Sequence, residues 1–527
     1  MIRERFTPIA LLSLLVASLP LMLLVHDNPF APVRLQGWWR ADLLSALGLL
    51  VLACQALLDW LESSRRLSQE PYRNTEGPHP PAPSPASVHG RTENLCIAAK
   101  ERIATPRISM SSPLSHNVGE GAGGEGHPRH PNHLSATTRV NVLSALKPAS
   151  GRGGKASQAF AFLLPTGLLS LALVTSHFVL LSGLLVGVGL LRSTRQQLGP
   201  LVVSLSAASG LILLGLQSGT WDYAAPLAGA GLNSLSFGLL LLALLLANGG
   251  VALVRGHPPQ SDALFSLACC YLLLRLYSLG PWNLGWLLAS LLLGAAVALA
   301  AAWQGAGAPS SATGAWQTAY LNGFILTGAG LGSEAGIVLA GYGLLLLPVV
   351  RLGFSAAPTP HWRYWLLCAA LPLSAPFIMA WLAVAAALAG GLTLLAVSLW
   401  AAALLAALPV ARLAHGQHQG QAQDEDSAAG RSAGQPHRGL HHYNILTGVG
   451  LSLATPFMLP GLLTPLAAQL QGGLTPFGSL ELWPWAGLIA FNAARQPVAT
   501  LPSIALIALM LILAALCWLG LRLRDRT

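Results

Sequence analysis

Apolar stretches of about 20 residues recur from one end of this chain to the other, and almost no charge interrupts them. A hydrocarbon layer about 30 Å thick needs a helix of that length to cross it. Only 9% of the 527 residues are charged and 53% are hydrophobic, with a mean hydropathy of +0.58. Soluble domains carry roughly 25% charged residues, so this shortfall is more than one buried core helix would produce. Backbone polar groups in lipid must be satisfied within the segment, which selects helices. The runs do not alternate as the strands of an outer-membrane barrel would. The expected fold is therefore all-α: a polytopic transmembrane helix bundle of about 14 spans.

The spans are expected near 9–25, 43–60, 158–175, 177–192, 198–216, 232–254, 262–279, 284–303, 316–331, 335–352, 364–387, 391–411, 444–468 and 500–521. The first, IALLSLLVASLPLMLLV, follows Arg3 and Arg5 without a small-x-small cleavage site, and reads as an uncleaved helix. Two N-terminal spans (1–61) precede a segment, 62–157, rich in Pro, Gly, Ser and His. It buries too little apolar surface to offset its ordering entropy and is expected to be a disordered cytoplasmic insertion. A membrane core (158–413), a polar loop (414–443) and C-terminal spans (444–527) complete the organisation.

With the N-terminus in the cytoplasm, 25 of the 29 Lys and Arg fall in inside segments. Arg34, Arg40 and Arg495 fall outside, and Arg275 lies within a span. The net charge of +10 thus reads as membrane topology rather than nucleic-acid binding, with both termini cytoplasmic in a cell inner (plasma) membrane. Trp38, Trp39, Trp221, Trp282, Trp483 and Trp485 stand near the expected interfaces, as aromatic belts do.

The order of several segments resembles the antiporter-like membrane subunits shared by respiratory complex I, membrane-bound hydrogenases and multi-subunit cation/proton antiporters. RADLLSALGLLVLACQALL resembles that family's early helix, which opens on an acidic residue. PLVVSLSAASGLILLGLQSG and HPPQSDALFSLACCYLLLRLYSLGP are similar to its helix with a leucine-glycine turn and to its His-Pro break before a helix ending in Arg. LGAAVALAAAWQ, LNGFILTGAGLGSEAGIVLAGYGLLLL and the proline-broken LCAALPLSAPFIMAWLAVAAAL and LTGVGLSLATPFMLPGLLTPLA continue the match. The resemblance implies a subunit related to the proton-translocating components of an NADH-quinone oxidoreductase or antiporter complex. It implies other membrane subunits and the lipid bilayer as partners, no nucleic acid, and at most a non-catalytic part in any enzyme.

The family moves protons along charged side chains at mid-membrane, and here those places are neutral. Its glutamate falls near Ser182, its first lysine at Gly250 or Asn248, its next at Leu267, and its last charged position near Ala383. A mid-membrane charge costs several kcal/mol and survives mainly where function needs it. Apart from Asp59, Arg192, Asp262 and Arg351 at the ends of spans, Arg275 is the one formal charge inside them, with Glu334 and Asp222 in outside loops. The implied subunit is thus structural or degenerate in proton conduction. The alternative is a stand-alone polytopic transporter or membrane enzyme acting on an uncharged or lipid-linked substrate. A decayed paralogue is a third reading.

Candidate polar-pathway or subunit-contact residues are Arg275, Asn248, Ser182 and Asn322. Each has a plainer reading: Arg275 snorkels to headgroups, and the asparagines, with Asn233, make interhelical hydrogen bonds. Pro372, Pro376, Pro456 and Pro460 either expose carbonyls to an ion or simply kink two late helices. No metal is expected at His415, His418, His437, His441 and His442, since a Gly/Gln/Ala loop offers no fixed geometry. The scattered cysteines read as core residues, GAGLGS (328–333) lacks the strand and Lys of a phosphate loop, and no cofactor or catalytic set is expected.

Overall fold

A computed structural model describes residues 33–35, 39–73, 154–193, 198–223, 234–259, 263–280, 282–308, 312–355, 374–424, 450–451, 454–455, 457–470, 479–483, 487–492 and 494–501. The chain divides into two compact units, Met1–Ser68 with Arg152–Thr527, and Gln69–Gly151. The architecture below is that of the first. The expected first span, residues 74–153 of the insertion, and the last span beyond residue 501 lie outside the described residues.

Thirteen α-helices dominate the described residues. They are α1 Leu43–Arg73, α2 Gly154–Val174, α3 Phe178–Arg192, α4 Gly199–Ser218, α5 Ser234–Ala247, α6 Gly250–Val254 and α7 Ala263–Arg275. Then come α8 Leu284–Gly307, α9 Thr313–Leu331, α10 Glu334–Ser355, α11 Ala375–Ala389, α12 Thr393–Asp424 and α13 Thr464–Gln469. α1 runs on through Arg73 and α12 through Asp424, so helix continues into the first residues of both segments read as flexible. α4 and α8 are at once long and apolar enough to cross a membrane, with mean hydropathies of 1.9 and 2.2. Shorter apolar stretches fall in α1, α2, α3, α5, α7, α10, α11 and α12.

Local chemistry explains the helix ends. Asn283 Oδ1 accepts from Gly285 N–H at 3.0 Å to start α8, and Ser374 Oγ accepts from Phe377 N–H at 3.2 Å to start α11. The GAGLGS motif is a helix-to-helix turn. Gly332, at φ +60°, closes α9, and Ser333 Oγ accepts from Gly336 N–H to open α10. Pro376 sits in the first turn of α11, where a missing N–H costs nothing, rather than in a helix interior. Pro460 lies in the π-helical turn Leu459–Leu463, while Pro372 and Pro456 are outside the described residues.

α7, α9 and the apolar run of α10 are buried on nearly all sides, the placement expected of helices apolar all round. α3, α4, α5, α8 and α12 flank this centre and turn large apolar side chains outward. Leu394 of α12 is 86% exposed and Trp303 of α8 70%. Faces this apolar are what a hydrocarbon solvent would cover. Small residues bring the central helices together. A Cβ added at Gly323 of α9 would lie 2.7 Å from Ala298 Cα of α8, so only glycine allows that backbone approach.

Two small antiparallel sheets depart from the all-α expectation. β1 Val33–Leu35 pairs with β2 Trp39–Ala41, with Arg34 opposite Arg40. β3 Ser479–Trp483, β4 Gly487–Phe491 and β5 Pro497–Leu501 form the second sheet in that order. Residues 500 and 501, expected to open the last span, are therefore strand. The reason lies in the Asn492–Gln496 turn, where Gln496 N–H donates to Asn492 Oδ1 at 2.9 Å and Arg495 takes φ +58°. That turn folds two short apolar runs back on each other.

The close α8–α9 seam makes Gly323→Val costly: backbone must separate, at about 1–3 kcal/mol for an overpacked site. The expected outcome is a lowered thermal-unfolding midpoint in detergent. An unchanged midpoint would mean that the two helices do not approach this closely.

Candidate functional site

The most charged place in the described interior is built where α1 begins and α7 ends. Asp42 precedes α1 and caps it: its Oδ1 accepts from Ser45 N–H at 2.9 Å. Arg275 is the last residue of α7, where the chain tightens into the 3₁₀ turn Leu276–Leu279. Its Nη1 donates to Asp42 Oδ2 as a buried ion pair, the side chains being 3% and 0% exposed. Carboxylate at a helix N-terminus and guanidinium at a C-terminus each sit at the helix end that favours their charge.

Neutral groups complete the shell. Arg275 Nη2 donates to Tyr223 Oη at 3.2 Å and to Ser45 Oγ at 3.3 Å. The guanidinium carbon stands 4.5 Å from the centre of the Tyr223 ring and 5.6 Å from that of Tyr271. Tyr271 Oη–H donates to Leu173 C=O at 2.6 Å, and Tyr223 Oη–H donates to Thr175 C=O. Arg40 Nε lies 3.6 Å from Asp42 Oδ2, and Trp39 bridges to Thr175. One end of the bundle is thereby tied together from β2, α1, the α2–α3 turn, the segment after α4, and α7. Arg275 turns into the protein, not outward along its stem as the snorkelling reading expects.

The other sequence candidates lie elsewhere and are neutral. Ser182 of α3 donates to Ala208 C=O of α4 at 3.3 Å, a helix-to-helix bond. Asn248 and Asn322 meet through a residue that sequence reasoning did not single out, Ser266 of α7. Ser266 Oγ lies 2.7 Å from Asn248 Oδ1 and 3.1 Å from Asn322 Oδ1. Asn248 falls at the break between α5 and α6, where Gly249 adopts φ +72°. Of the positions where the family resemblance placed charges, Leu267 and Ala383 are buried among apolar neighbours and Gly250 opens α6.

At the periphery, Arg495 pairs with Glu481 of β3. Glu334, just before the apolar run of α10, has its pKa raised by burial and by the Glu481 carboxylate, and lowered by Arg495. Among the described residues no group of three or more His, Cys, Asp or Glu is placed to hold a metal ion. His437, His441, His442 and Asn233 are outside the described residues.

No family model and no curated protein matches the sequence. By fold, the chain matches one in the structure of the Mrp complex from Dietzia sp. DQ12-45-1b. The TM-score is 0.56 at 15% identity, over 89% of this chain and 93% of that one. The fold is that of an Mrp-complex chain. A chain of respiratory complex I from Thermus thermophilus with bound NADH matches at TM-score 0.49 and 15% identity, over 88% of this chain and 95% of that one. The family resemblance drawn from the order of apolar segments agrees with the Mrp match.

Removing one partner of a buried ion pair strands the other charge, at about 3–5 kcal/mol. Asp42→Ala and Arg275→Ala are each expected to lower the unfolding midpoint sharply. Asp42→Leu combined with Arg275→Met is expected to regain most of the loss. Simple addition of the two losses in the double variant would show that the charges do not depend on each other.

Proposed function

We propose that this chain is an integral membrane subunit of a hetero-oligomeric assembly, resembling the antiporter-like subunits of complex I and cation/proton antiporters. Its role is to build and join the membrane arm, and it does not carry protons by itself. The observation that carries this reading is the fold match at TM-score 0.56 across nearly the whole of both chains. The proposal includes about 14 spans in a plasma membrane, with both termini cytoplasmic.

The chemistry of the interior supports the second half of the reading. A proton path needs groups that take up and release H⁺ near physiological pH, placed across the membrane. At the places expected to carry them the chain has Ser182, Asn248, Leu267 and Ala383. Among the described residues the buried charges, Asp42 and Arg275, neutralise each other at one end of the helices. That pair ties chain segments together and offers no step toward the opposite face. Outward apolar faces on α8 and α12, with Leu394 and Trp303 prominent, suit lipid or the helices of sister subunits.

Purification of the full chain in a mild detergent, followed by mass spectrometry of what accompanies it, tests the proposal. The expected outcome is co-purification, in fixed proportion, of other polytopic subunits of one complex. A chain that is monomeric from every mild detergent, with no membrane protein accompanying it, would contradict the proposal.

A further inference from the structure

We infer that Glu334 makes the hold of the β3–β5 sheet on α10 sensitive to pH. The sheet sits tighter when the Glu334 carboxyl carries a proton and loosens when it gives the proton up. The parts meet at the end of the bundle that carries the Asp42–Arg275 pair. Glu334 opens α10 two residues after Gly332, where a Cβ would lie 3.3 Å from Tyr277 Oη, and Tyr277 follows Arg275 by two residues. β3 packs against α10, and β4 and β5 pack against α11.

Three charged side chains gather where sheet and helix touch, two of them negative. Glu481 of β3 pairs with Arg495 of the β4–β5 turn. That turn fixes where Arg495 stands: its N–H donates to Asn492 C=O at 3.0 Å, and Gln496 N–H donates to Asn492 Oδ1 at 2.9 Å. Glu334 is the second carboxylate and feels both of the other charges. One guanidinium thus faces two carboxylates. Of the other elements packed against α10, α11, α13 and the π-helical turn carry no titratable side chain. α7 brings Cys269, Cys270, Tyr271 and Arg275, the last paired with Asp42. α9 brings Tyr320, more than two turns from its Glu334 end.

Glu334 is half-buried, and among the described residues its carboxyl makes no hydrogen bond. Burial first, and then the Glu481 carboxylate, push its pKa up, and Arg495 pulls it down by less. The docked sheet therefore keeps this proton more firmly than the detached one does. Docking is at full strength below the ordinary glutamate range and weakens as pH rises through the raised value. In the proposed topology this end faces away from the cytoplasm, but the latch itself does not rest on that reading.

Hydrogen–deuterium exchange of the full chain in detergent, corrected for the intrinsic pH dependence of exchange, tests it from about pH 5 to 8. Amides of 479–501 are expected to lose protection several-fold as pH rises in the wild type, against a constant level in α9. In Glu334→Gln they are expected to stay at the wild-type low-pH level throughout. Glu481→Gln is expected to move the loss to lower pH and Arg495→Gln to higher pH. A plain packing contact would not produce such opposite displacements. Equal pH dependence in the wild type and Glu334→Gln overturns the proposal. So does a wild type that shows no loss, or a loss that neither Glu481→Gln nor Arg495→Gln displaces.

Discussion

A guanidinium enclosed by apolar helices requires an opposite charge within reach, and much of this architecture is arranged around meeting that requirement once. Arg275 finds Asp42, a residue 233 positions earlier, at the far end of the sequence interval that holds the first half of the bundle. Meeting it there forces α1 and α7 side by side and brings Tyr223 and Thr175 into the same shell. A buried pair of this kind adds little net stability over an apolar substitute, because desolvation offsets attraction. It does penalise arrangements in which either partner is left alone, and so it specifies which helix ends meet.

The remaining interior follows a different rule. Among the described residues the other polar contacts between helices are neutral: Ser182 to Ala208, Gln317 Nε2 to Ala406 C=O at 2.7 Å, and Tyr342 Oη to Thr455 Oγ at 3.1 Å. None of them places a charge at depth. Close backbone approach, as at Gly323 against Ala298, supplies the rest through dispersion contacts. Such a bundle is held by shape and by neutral hydrogen bonds.

Much of this was legible in the sequence, for identifiable reasons. Length and hydropathy locate α4 and α8 because a membrane-crossing helix is set by one physical dimension. Arg275 stood out as a charge inside an apolar run, and the acidic residue opening the second span was part of the family resemblance. Alternating the spans puts the start of 43–60 and the end of 262–279 on the same face, so the pairing of Asp42 with Arg275 was within reach. It was missed because Asp42 falls one residue before its span and so did not count as intramembrane. Asn248 and Asn322 were each noticed, but Ser266 was not, since a lone serine in an apolar helix carries no signal until its neighbours are known. The β3–β5 sheet escaped because its strands are five residues long and its neighbouring apolar run reads as a span.

The central proposal is that the described interior relays no protons. Its most direct test is proton flux through the purified full chain in liposomes, with a pH-sensitive dye inside and a potassium diffusion potential across the membrane. The account predicts acidification no faster than in protein-free liposomes. Rapid potential-driven acidification that scales with the amount of protein would contradict it.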